Sequence, residues 1–218
     1  MDFVNKTLFP FASERVENFL RAHSEEASVR DLIAGLRQEH GLENWNRETR
    51  ELEIASAASY ARQLIAQDRK VTPLKTLQGK IWEEGYRAGE LRGEVYEDVS
   101  PAFQRWKKQG KRIAIFSSGS VLAQKLLFGH SNAGDLAQCI EAYFDTTTGP
   151  KREAASYKAI GNALAAANGS MLFVSDVAQE LDAAREAGMY TALMVRPGNS
   201  PPGDLQHAFI ASFDQLFV

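Results

Sequence analysis

The feature that most constrains the fold is an alternation of short apolar runs with helical patterns, which starts near residue 95. The apolar runs that indicate strands are "KRIAIFSSGS", "AYFDTT", "MLFVSD" and "YTALMVRPG". The stretches with helical spacing are "PAFQRWKKQG", "SVLAQKLLFG", "REAASYKAIGNALAA" and "VAQELDAAREAG". Strands that alternate with helices predict right-handed crossovers and a Rossmann-like, doubly wound parallel sheet, so the fold class is α/β.

The preceding part of the chain, from about residue 11 to 94, has helical patterns and no convincing strand. The pattern "SERVENFLRAH" places Val16, Phe19 and Leu20 on one helix face. Further helices are predicted with Ser28 as N-cap and Gly41 as C-cap, with Arg69 and Lys70 at a helix C-terminus, and with Thr72 as N-cap before Pro73. We therefore predict a helical domain over 13–94 and an α/β domain over 95–218.

Composition excludes several classes of protein. The net charge is −3, whereas a nucleic-acid or anionic membrane surface calls for a basic face. Cys139 is the only cysteine, so no internal disulfide can form. No apolar run approaches the roughly 20 residues that span a bilayer. The sequence predicts a soluble cytoplasmic protein without nucleic-acid or membrane partners.

The first strand end that can carry chemistry is "SSGS", at 117–120. Ligands of doubly wound sheets bind at the carboxyl ends of the strands. Hydroxyls of Ser117 and Ser118, with approachable backbone N–H groups before a helix, are typical of a phosphate cradle. The alternative is a serine-rich N-cap. The glycine spacing matches neither a P-loop nor a dinucleotide fingerprint.

The second strand end leads to Lys151, in "DTTTGPKRE". We expect this lysine to open a helix after a Gly-Pro turn, where it opposes the helix dipole. Such a placement indicates an anion-binding role, and a solvated turn lysine is the equal alternative.

The third strand end is Asp176, in "FVSDVAQELDAAREAGM". A carboxylate there is costly to bury unless it is paired or bound to a metal, and its hard oxygens suit Mg²⁺. Spacing alone favours an N-cap. Glu180, four residues on, either supports Asp176 or is a surface glutamate.

The order of these three features resembles the haloacid dehalogenase superfamily and, more narrowly, its enolase-phosphatases (acireductone synthases) of methionine salvage. The motifs that carry the resemblance span nearly the whole chain: "FVNKTLFPFA" (3–12), "DRKVTPLKTLQG" (68–79), "FSSGSVLAQKLLFGHS" (116–131), "FDTTTGPKREAASY" (144–157), "FVSDVAQELDAAREAGM" (173–189) and "VRPGN" (195–199). The block "SSGSVLAQKLLFG" is specific to this branch.

The resemblance implies an inserted helical cap over 13–94, a monomer, and a Mg²⁺-dependent enzyme that enolises and dephosphorylates a 2,3-diketo-5-methylthiopentyl 1-phosphate. By match of motifs, Ser117 and Ser118 would bind the substrate and Lys151 its phosphoryl group. Asp176 would ligate Mg²⁺. Arg69, Lys70 and Lys75 of the cap would close over the substrate, with no individual role assigned to any of them.

One motif of the family has no match in this sequence. The family's nucleophile lies in an apolar strand followed by Asp-x-Glu-Gly-Thr-Thr, ahead of the segment that corresponds to "FVNKTLFPFA". Only Met1 and Asp2 precede Phe3, and no Asp-x-Asp/Glu-Gly-Thr occurs elsewhere. We therefore expect 1–12 to be a connection from a missing first core strand. No catalytic residue is assigned in this chain, since the nucleophilic Asp and the acid/base Glu belong to that missing motif.

The missing motif leaves two interpretations and one rival. The first is an enolase-phosphatase whose sequence begins late. The second is a non-catalytic remnant. The rival is another phosphatase, mutase or dehalogenase of the superfamily, against which the block "SSGSVLAQKLLFG" argues. For the 218 residues themselves, the sequence predicts very low turnover. It also predicts that strands near 112–116 and 171–175 lack a shared neighbour.

Overall fold

The computed structural model describes residues 3–41, 45–196 and 206–218. The chain forms two compact units, Met1–Glu94 and Val95–Val218. Their division lies where the sequence changes from helical patterns to alternating strands and helices. No helix in the described ranges is both long and apolar enough to cross a membrane.

The regular elements described in the first unit are all helices. Its helices are α1 (Phe9–Ala22), α2 (Ala27–His40), α3 (Arg50–Ala66) and α4 (Thr72–Arg87). A π-helical turn over Val4–Leu8 leads directly into α1, so the connection predicted over 1–12 is helical from Val4 onward. Val16, Phe19 and Leu20 are buried, as their spacing on α1 predicts.

Several predicted helix ends differ from the structure. The N-cap position of α2 is Glu26 rather than Ser28, and that of α4 is Val71 rather than Thr72. Gly41 does end α2, with a φ of 77°. These differences reflect backbone geometry that single residue types do not fix, since helix ends commonly shift by one or two residues.

Arg69 and Lys70 do not lie in the last turn of a helix, contrary to the prediction. The helix α3 ends at Ala66, and Asp68 takes a left-handed φ of 48°. The N–H of Arg69 then bonds back to the carbonyl oxygen of Leu64 at 2.9 Å. This return bond satisfies a free carbonyl of the helix end and turns the chain away from the helix axis.

The second unit alternates helices and strands as predicted. Its elements in chain order are α5 (Val99–Lys108), β1 (Ala114–Phe116), α6 (Val121–Gly129), β2 (Ala142–Phe144), α7 (Ala154–Ala163), β3 (Leu172–Ser175), α8 (Ala178–Glu186), β4 (Tyr190–Met194) and β5 (Ala208–Ile210). The strand β5 lies in the segment that sequence reasoning left as a tail. Its apolar run is only three residues long, too short to be distinguished from a loop.

All strand pairs are parallel, but they form two sheets instead of one. β1 pairs with β2, whereas β3 pairs with β4 and β4 with β5. Within the described part of the chain, no strand pairs with the other edge of β1 or of β3. The sequence-based expectation that the strands near 112–116 and 171–175 lack a shared neighbour agrees with this topology.

The divided sheet leaves apolar strands only partly covered. Strands of parallel sheets are normally buried on both faces. Here every residue of β3 is half-buried, and β1 has an exposed Ala114 followed by two half-buried residues. The core of this unit is accordingly divided into clusters centred on Phe103 and Trp106, on Tyr157, and on Met194.

A buried ion pair holds the C-terminal segment against the sheet of β3, β4 and β5. Asp98 Oδ2 lies 2.8 Å from an Arg196 guanidinium nitrogen, and both side chains are about nine-tenths buried. The same oxygen accepts hydrogen bonds from the backbone N–H of Phe213 and the hydroxyl of Ser212. Burial raises the pKa of the Asp98 carboxyl. These three hydrogen bonds, that from Arg196 first, lower the pKa by more, so it lies below its ordinary value.

We expect Asp98→Ala to lower the free energy of unfolding by about 3–5 kcal/mol at neutral pH, because it leaves Arg196 buried without its partner. A carboxyl with a lowered folded-state pKa stabilises the fold above its unfolded pKa and loses that contribution as the pH falls. The difference between the variant and the native chain should therefore shrink below about pH 4. Urea unfolding across this pH range measures both effects. Asp214→Ala, which removes an exposed carboxylate of the same segment, should cost under about 1 kcal/mol; equal losses for the two variants would contradict this role of Asp98.

Candidate active site

The candidate site is built where β1, β2 and β3 end. The loops that follow these strands contain Ser117, Asp145 and Asp176, one after each strand. β1 and β2 are parallel strands of one sheet, so their loops emerge at the same end of that sheet, whereas Asp176 follows β3 of the other sheet. The structure shows which side chains of these loops hold the backbone and which remain available to a ligand.

The serines after β1 divide into two groups. Ser120 is the N-cap of α6, and its side chain accepts a hydrogen bond from the N–H of Ala123 at 3.3 Å. Ser117 is half-buried, and its hydroxyl accepts the N–H of Gly119 at 3.2 Å. Ser118 is exposed. The N-cap interpretation is therefore correct for Ser120, while Ser117 and Ser118 lie in the turn ahead of the cap.

Asp145 is a residue of this region that sequence reasoning missed. It directly follows β2, and its Oδ2 accepts the N–H of Val121 at 3.2 Å. Its Oδ1 accepts both the N–H and the hydroxyl of Thr147. A carboxylate beside the N-terminus of α6 is electrostatically favourable. The sequence signal for Asp145 is a carboxylate directly after the apolar run of "AYFDTT", the same pattern that singles out Asp176 in "FVSD".

Lys151 does not open a helix, contrary to the prediction. It lies in a turn, and α7 begins three residues later at Ala154. Lys151 therefore does not oppose the dipole of α7 from within its first turn. Tyr157 donates its hydroxyl proton to the Lys151 carbonyl at 2.6 Å, and Ser156 donates to the Pro150 carbonyl at 2.7 Å. These bonds from the first turn of α7 fix the backbone ahead of it.

The ammonium group of Lys151 is held by Glu180. Their Nζ and Oε2 atoms are 2.6 Å apart, and the two side chains are 21% and 11% exposed. The Lys151 Nζ also lies 5.7 Å from the ring centre of Phe116, the last residue of β1. Lys151 is therefore neither a solvated turn lysine nor an isolated cation, but one partner of a largely buried ion pair next to the end of β1.

Glu180 connects this lysine to the end of β3. Its Oε2 also accepts the hydroxyl proton of Ser175, the last residue of β3, at 2.9 Å. Sequence reasoning left Glu180 as a support of Asp176 or as a surface residue. The surface interpretation is wrong, since Glu180 is 9% exposed, and its partners among the described residues are Lys151 and Ser175.

Asp176 is exposed and does not cap α8. The N-cap position of that helix is Val177, whose N–H is accepted by the Ser175 hydroxyl at 3.1 Å. The N-cap interpretation of Asp176 is therefore wrong, because Ser175 takes over the task. No hydrogen bond or ion pair of the Asp176 carboxylate is seen within the described ranges, which leaves its oxygens available to a ligand.

The Asp176 carboxylate fits a Mg²⁺ site that is completed by water and substrate better than a site made of protein ligands alone. Mg²⁺ is commonly held by one or two carboxylates, with waters and substrate phosphates completing its octahedron. Asp176 is one hard oxygen donor at a strand end. In the described part of the chain, no group of three or more His, Cys, Asp or Glu side chains is arranged to hold a metal.

Tyr157 packs against β1 and β3, two of the strands that end at the candidate site. It is fully buried, and its ring contacts those of Phe116 and Phe173, with centroid distances of 5.7 and 4.9 Å. Burial raises the pKa of its phenol above the ordinary value, and the charge of Glu180 acts in the same direction. The phenol therefore stays protonated and can keep donating its hydrogen bond to the carbonyl of Lys151.

The remaining residues matched by motif belong to the helical unit or fall outside the described ranges. Arg69 and Lys70 are exposed in the loop before α4, where Lys70 lies 3.7 Å from Asp68. Lys75 is half-buried on α4. All three belong to the helical unit. The motif "VRPGN" lies only partly in the described chain, since 197–199 fall outside it.

The described strands are parallel and alternate with helices, and the model of the haloacid dehalogenase-like hydrolase family matches residues 7–188 of this chain. Among curated proteins, the enolase-phosphatase E1 of Synechococcus elongatus is 50% identical over 222 residues, covering 99% of this chain and 92% of the relative. The enolase-phosphatase E1 of a Pseudomonas aeruginosa strain is 45% identical, covering 100% and 92%.

Solved structures agree with this assignment. The crystal structure of the Saccharomyces cerevisiae unknown transcript 4 protein is 34% identical, with a TM-score of 0.81, and the match covers 99% of this chain and 93% of that one. A dehalogenase with 19% identity and a TM-score of 0.53, matched over 96% of this chain and 89% of its own, shares the fold alone. The chain therefore belongs to the enolase-phosphatases, a branch of the haloacid dehalogenase-like hydrolases.

We expect Ser120→Ala to lower the free energy of unfolding by about 0.5–2 kcal/mol, because it removes an N-cap. Ser118→Ala should change it by less than about 0.5 kcal/mol, since that side chain is exposed. Urea unfolding of the two single variants measures the difference. A loss for Ser118→Ala as large as that for Ser120→Ala would contradict the division of the serines into structural and available groups.

We expect Glu180→Gln to cost about 1.5–3 kcal/mol of unfolding free energy, since an amide leaves the largely buried Lys151 ammonium without a counter-charge. The matched control is Glu186→Gln on the same helix, where the carboxylate is exposed and the change should be near zero. Chemical unfolding at neutral pH compares the two variants. Equal stabilities would show that the pair does not hold the loop.

Proposed function

We propose that this chain carries the substrate-binding and metal-binding half of an enolase-phosphatase site. The substrate class is a 2,3-diketo-5-methylthiopentyl 1-phosphate, and the place of the reaction is methionine salvage in the cytoplasm. The single observation that supports this best is the Lys151–Glu180 pair, because it joins the turn after β2, beside Phe116 of β1, to the end of β3. A monomer without macromolecular partners is part of the proposal.

Each available side chain has a role in this proposal. Ser117 and Ser118 supply hydroxyls and turn backbone at the end of β1 for the substrate and its phosphate. Lys151 supplies the positive charge that offsets the phosphoryl oxygens, and Glu180 aims that ammonium group. Such fixed charges stabilise the charge that develops during phosphoryl transfer and need little reorganisation.

Asp176 is the residue proposed to hold Mg²⁺, since its exposed carboxylate has no partner within the described ranges. When bound, the ion would supply charge neutralisation for the phosphate and polarise the substrate oxygens. Ser175 keeps Asp176 out of the helix cap by donating to Glu180 and accepting the N–H of the next residue. The carboxylate is thereby left to face a ligand.

No side chain among these residues is assigned as the nucleophile. The family attacks phosphorus with an aspartate of the Asp-x-Glu-Gly-Thr-Thr motif, which the 218 residues do not contain. We therefore propose that these residues by themselves bind and position the substrate but turn it over at a very low rate. The alternative is a non-catalytic binding protein. It has the same binding residues, but no Asp-x-Glu-Gly-Thr-Thr motif ever joins them.

The test is phosphate release from the diketo phosphate with Mg²⁺. The 218-residue chain should be near background. A form extended ahead of residue 1 by an apolar strand and Asp-x-Glu-Gly-Thr-Thr should gain at least roughly 1,000-fold, the scale of a lost nucleophile. Asp176→Asn in the extended form should lose at least roughly 100-fold, whereas Asp31→Asn, an exposed carboxylate of the helical unit, should stay within about twofold.

Three outcomes would overturn the proposal. Robust turnover by the 218-residue chain that Asp176→Asn abolishes would sink the claim of low activity. A lack of gain in a folded extended form would favour the non-catalytic protein. Faster release from simple sugar phosphates than from the diketo phosphate would assign the chain to another activity of the superfamily.

A further inference from the structure

A buried glutamine on α6 braces the turn that follows β1. Gln124 is 5% exposed and lies one helical turn after Ser120, the N-cap of α6. Its Nε2 donates two hydrogen bonds, one to the Gly119 carbonyl at 2.8 Å and one to the Phe144 carbonyl at 2.9 Å. Gly119 belongs to the "SSGS" turn and Phe144 is the last residue of β2. A single side-chain amide therefore ties the turn to the neighbouring strand.

The orientation of this amide follows from its partners. Both are carbonyl oxygens, which accept hydrogen bonds and cannot donate them, so the amide nitrogen must face them. The other end of the amide, Gln124 Oε1, is buried and has no hydrogen-bond partner within the described ranges. A buried acceptor without a donor carries a desolvation cost, which offsets much of what the two bonds from Nε2 contribute to stability.

The two carbonyls do not need Gln124 to be satisfied. The Phe144 carbonyl also accepts the N–H of Ser117 at 3.1 Å, and Gly119 is an exposed residue. Stability alone therefore gives little reason for a buried amide at position 124, where an apolar side chain of the same length would bury no orphan oxygen. What the amide does provide is a fixed direction for the Gly119 carbonyl.

Fixing the Gly119 carbonyl also fixes the N–H of Ser120. The two groups belong to one planar peptide unit, in which a trans C=O and N–H point in opposite directions. Because the carbonyl points to the buried amide of Gln124, the N–H points away from it, towards the exposed side of the turn. No acceptor for this N–H is seen among the described residues. The Ser120 hydroxyl, by contrast, is used in the cap of α6.

The surroundings of this N–H suit an anion. It lies just ahead of α6, whose dipole is positive at its N-terminus. The ammonium group of Lys151 lies 5.7 Å from the ring centre of Phe116, the residue that precedes the turn. The Asp145 carboxylate already accepts the N–H of Val121 at 3.2 Å, so an incoming anion must use the donors ahead of Val121 in the turn.

We propose that Gln124 is a positioning residue, whose amide holds the Gly119–Ser120 peptide so that the Ser120 N–H binds an oxygen of the substrate phosphate. Gln124 touches no substrate and acts through this peptide. The inference rests on the proposed function, since it adds a donor to the phosphate site at the end of β1. A donor that is fixed before the ligand arrives loses little entropy on binding and needs little reorganisation.

The test compares Gln124→Met with the native 218-residue chain, with inorganic phosphate and Mg²⁺ as the probe. Methionine keeps the length and nearly the volume of glutamine but donates no hydrogen bond. The Tm should stay within about 3 °C of the native value, because the lost bonds and the removed orphan oxygen offset each other. The Kd for phosphate, measured by calorimetry, should rise at least about fivefold, because the Ser120 N–H is no longer held in place.

Three amides report on the mechanism. In NMR spectra, phosphate should move the Ser120 amide proton downfield in the native chain and much less in Gln124→Met. Without phosphate, hydrogen exchange at the Ser117 amide should be at least about tenfold faster in the variant, because its acceptor, the Phe144 carbonyl, loses the brace. The Glu141 amide, bonded at 2.8 Å to the carbonyl that precedes β1, should exchange at the native rate.

Gln138→Met is the matched control. The Gln138 side chain also donates to a backbone carbonyl, that of Asp135 at 2.9 Å, but it is exposed and lies outside the turn. Its Tm, its phosphate affinity and its exchange rate at Ser117 should equal those of the native chain. Equal losses of phosphate affinity in the two glutamine variants would contradict a specific role of Gln124.

The remaining outcomes separate this inference from the proposed function. Phosphate binding that Gln124→Met leaves unchanged would overturn the inference alone and keep the phosphate site. A fall of the Tm by about 10 °C or more would assign the amide to stability and also sink it. Failure of the native chain to bind phosphate, with different exchange rates at Ser117, would overturn the proposed phosphate site and with it the role of Ser120 as a donor.

Discussion

The α/β unit depends on side chains to hold together two sheets that no backbone ladder joins within the described ranges. Lys151 reaches from the turn ahead of α7 to the ring of Phe116 at the end of β1 and to Glu180 on α8. Glu180 in turn binds Ser175 at the end of β3. The pair is a charge-assisted hydrogen bond between two largely buried side chains, so removing either partner would leave the other charge buried without a counter-charge.

Hydrogen bonds to helix N-termini order the loops of the candidate site without a ligand. Ser175 accepts the N–H of Val177, Ser120 caps α6, and Asp145 accepts a second N–H of that helix. With these structural tasks fulfilled, the Ser118 hydroxyl and the Asp176 carboxylate remain exposed at their strand ends. The division between structural and available groups follows from which side chains lie within hydrogen-bond distance of an unsatisfied helix N–H.

The divided sheet has an energetic consequence that reaches both faces of the unit. A central strand of a parallel sheet normally joins the layers above and below it into one core. Here β1 and β3 are only partly covered, and the cluster around Tyr157 shares no packing residue with those around Phe103 and Met194.

The sequence by itself determined the class of fold and the strand ends that carry Ser117, Ser118, Lys151 and Asp176, because local periodicity decides helix against strand and strand polarity decides where polar loops emerge. It also predicted that two strands lack a shared neighbour. Only the tertiary structure decided that Lys151 lies before its helix, that Glu180 is its buried partner, and that Ser175 caps α8 in place of Asp176. Those outcomes depend on contacts between residues 29 positions apart and on competition for one backbone N–H, which no local pattern encodes.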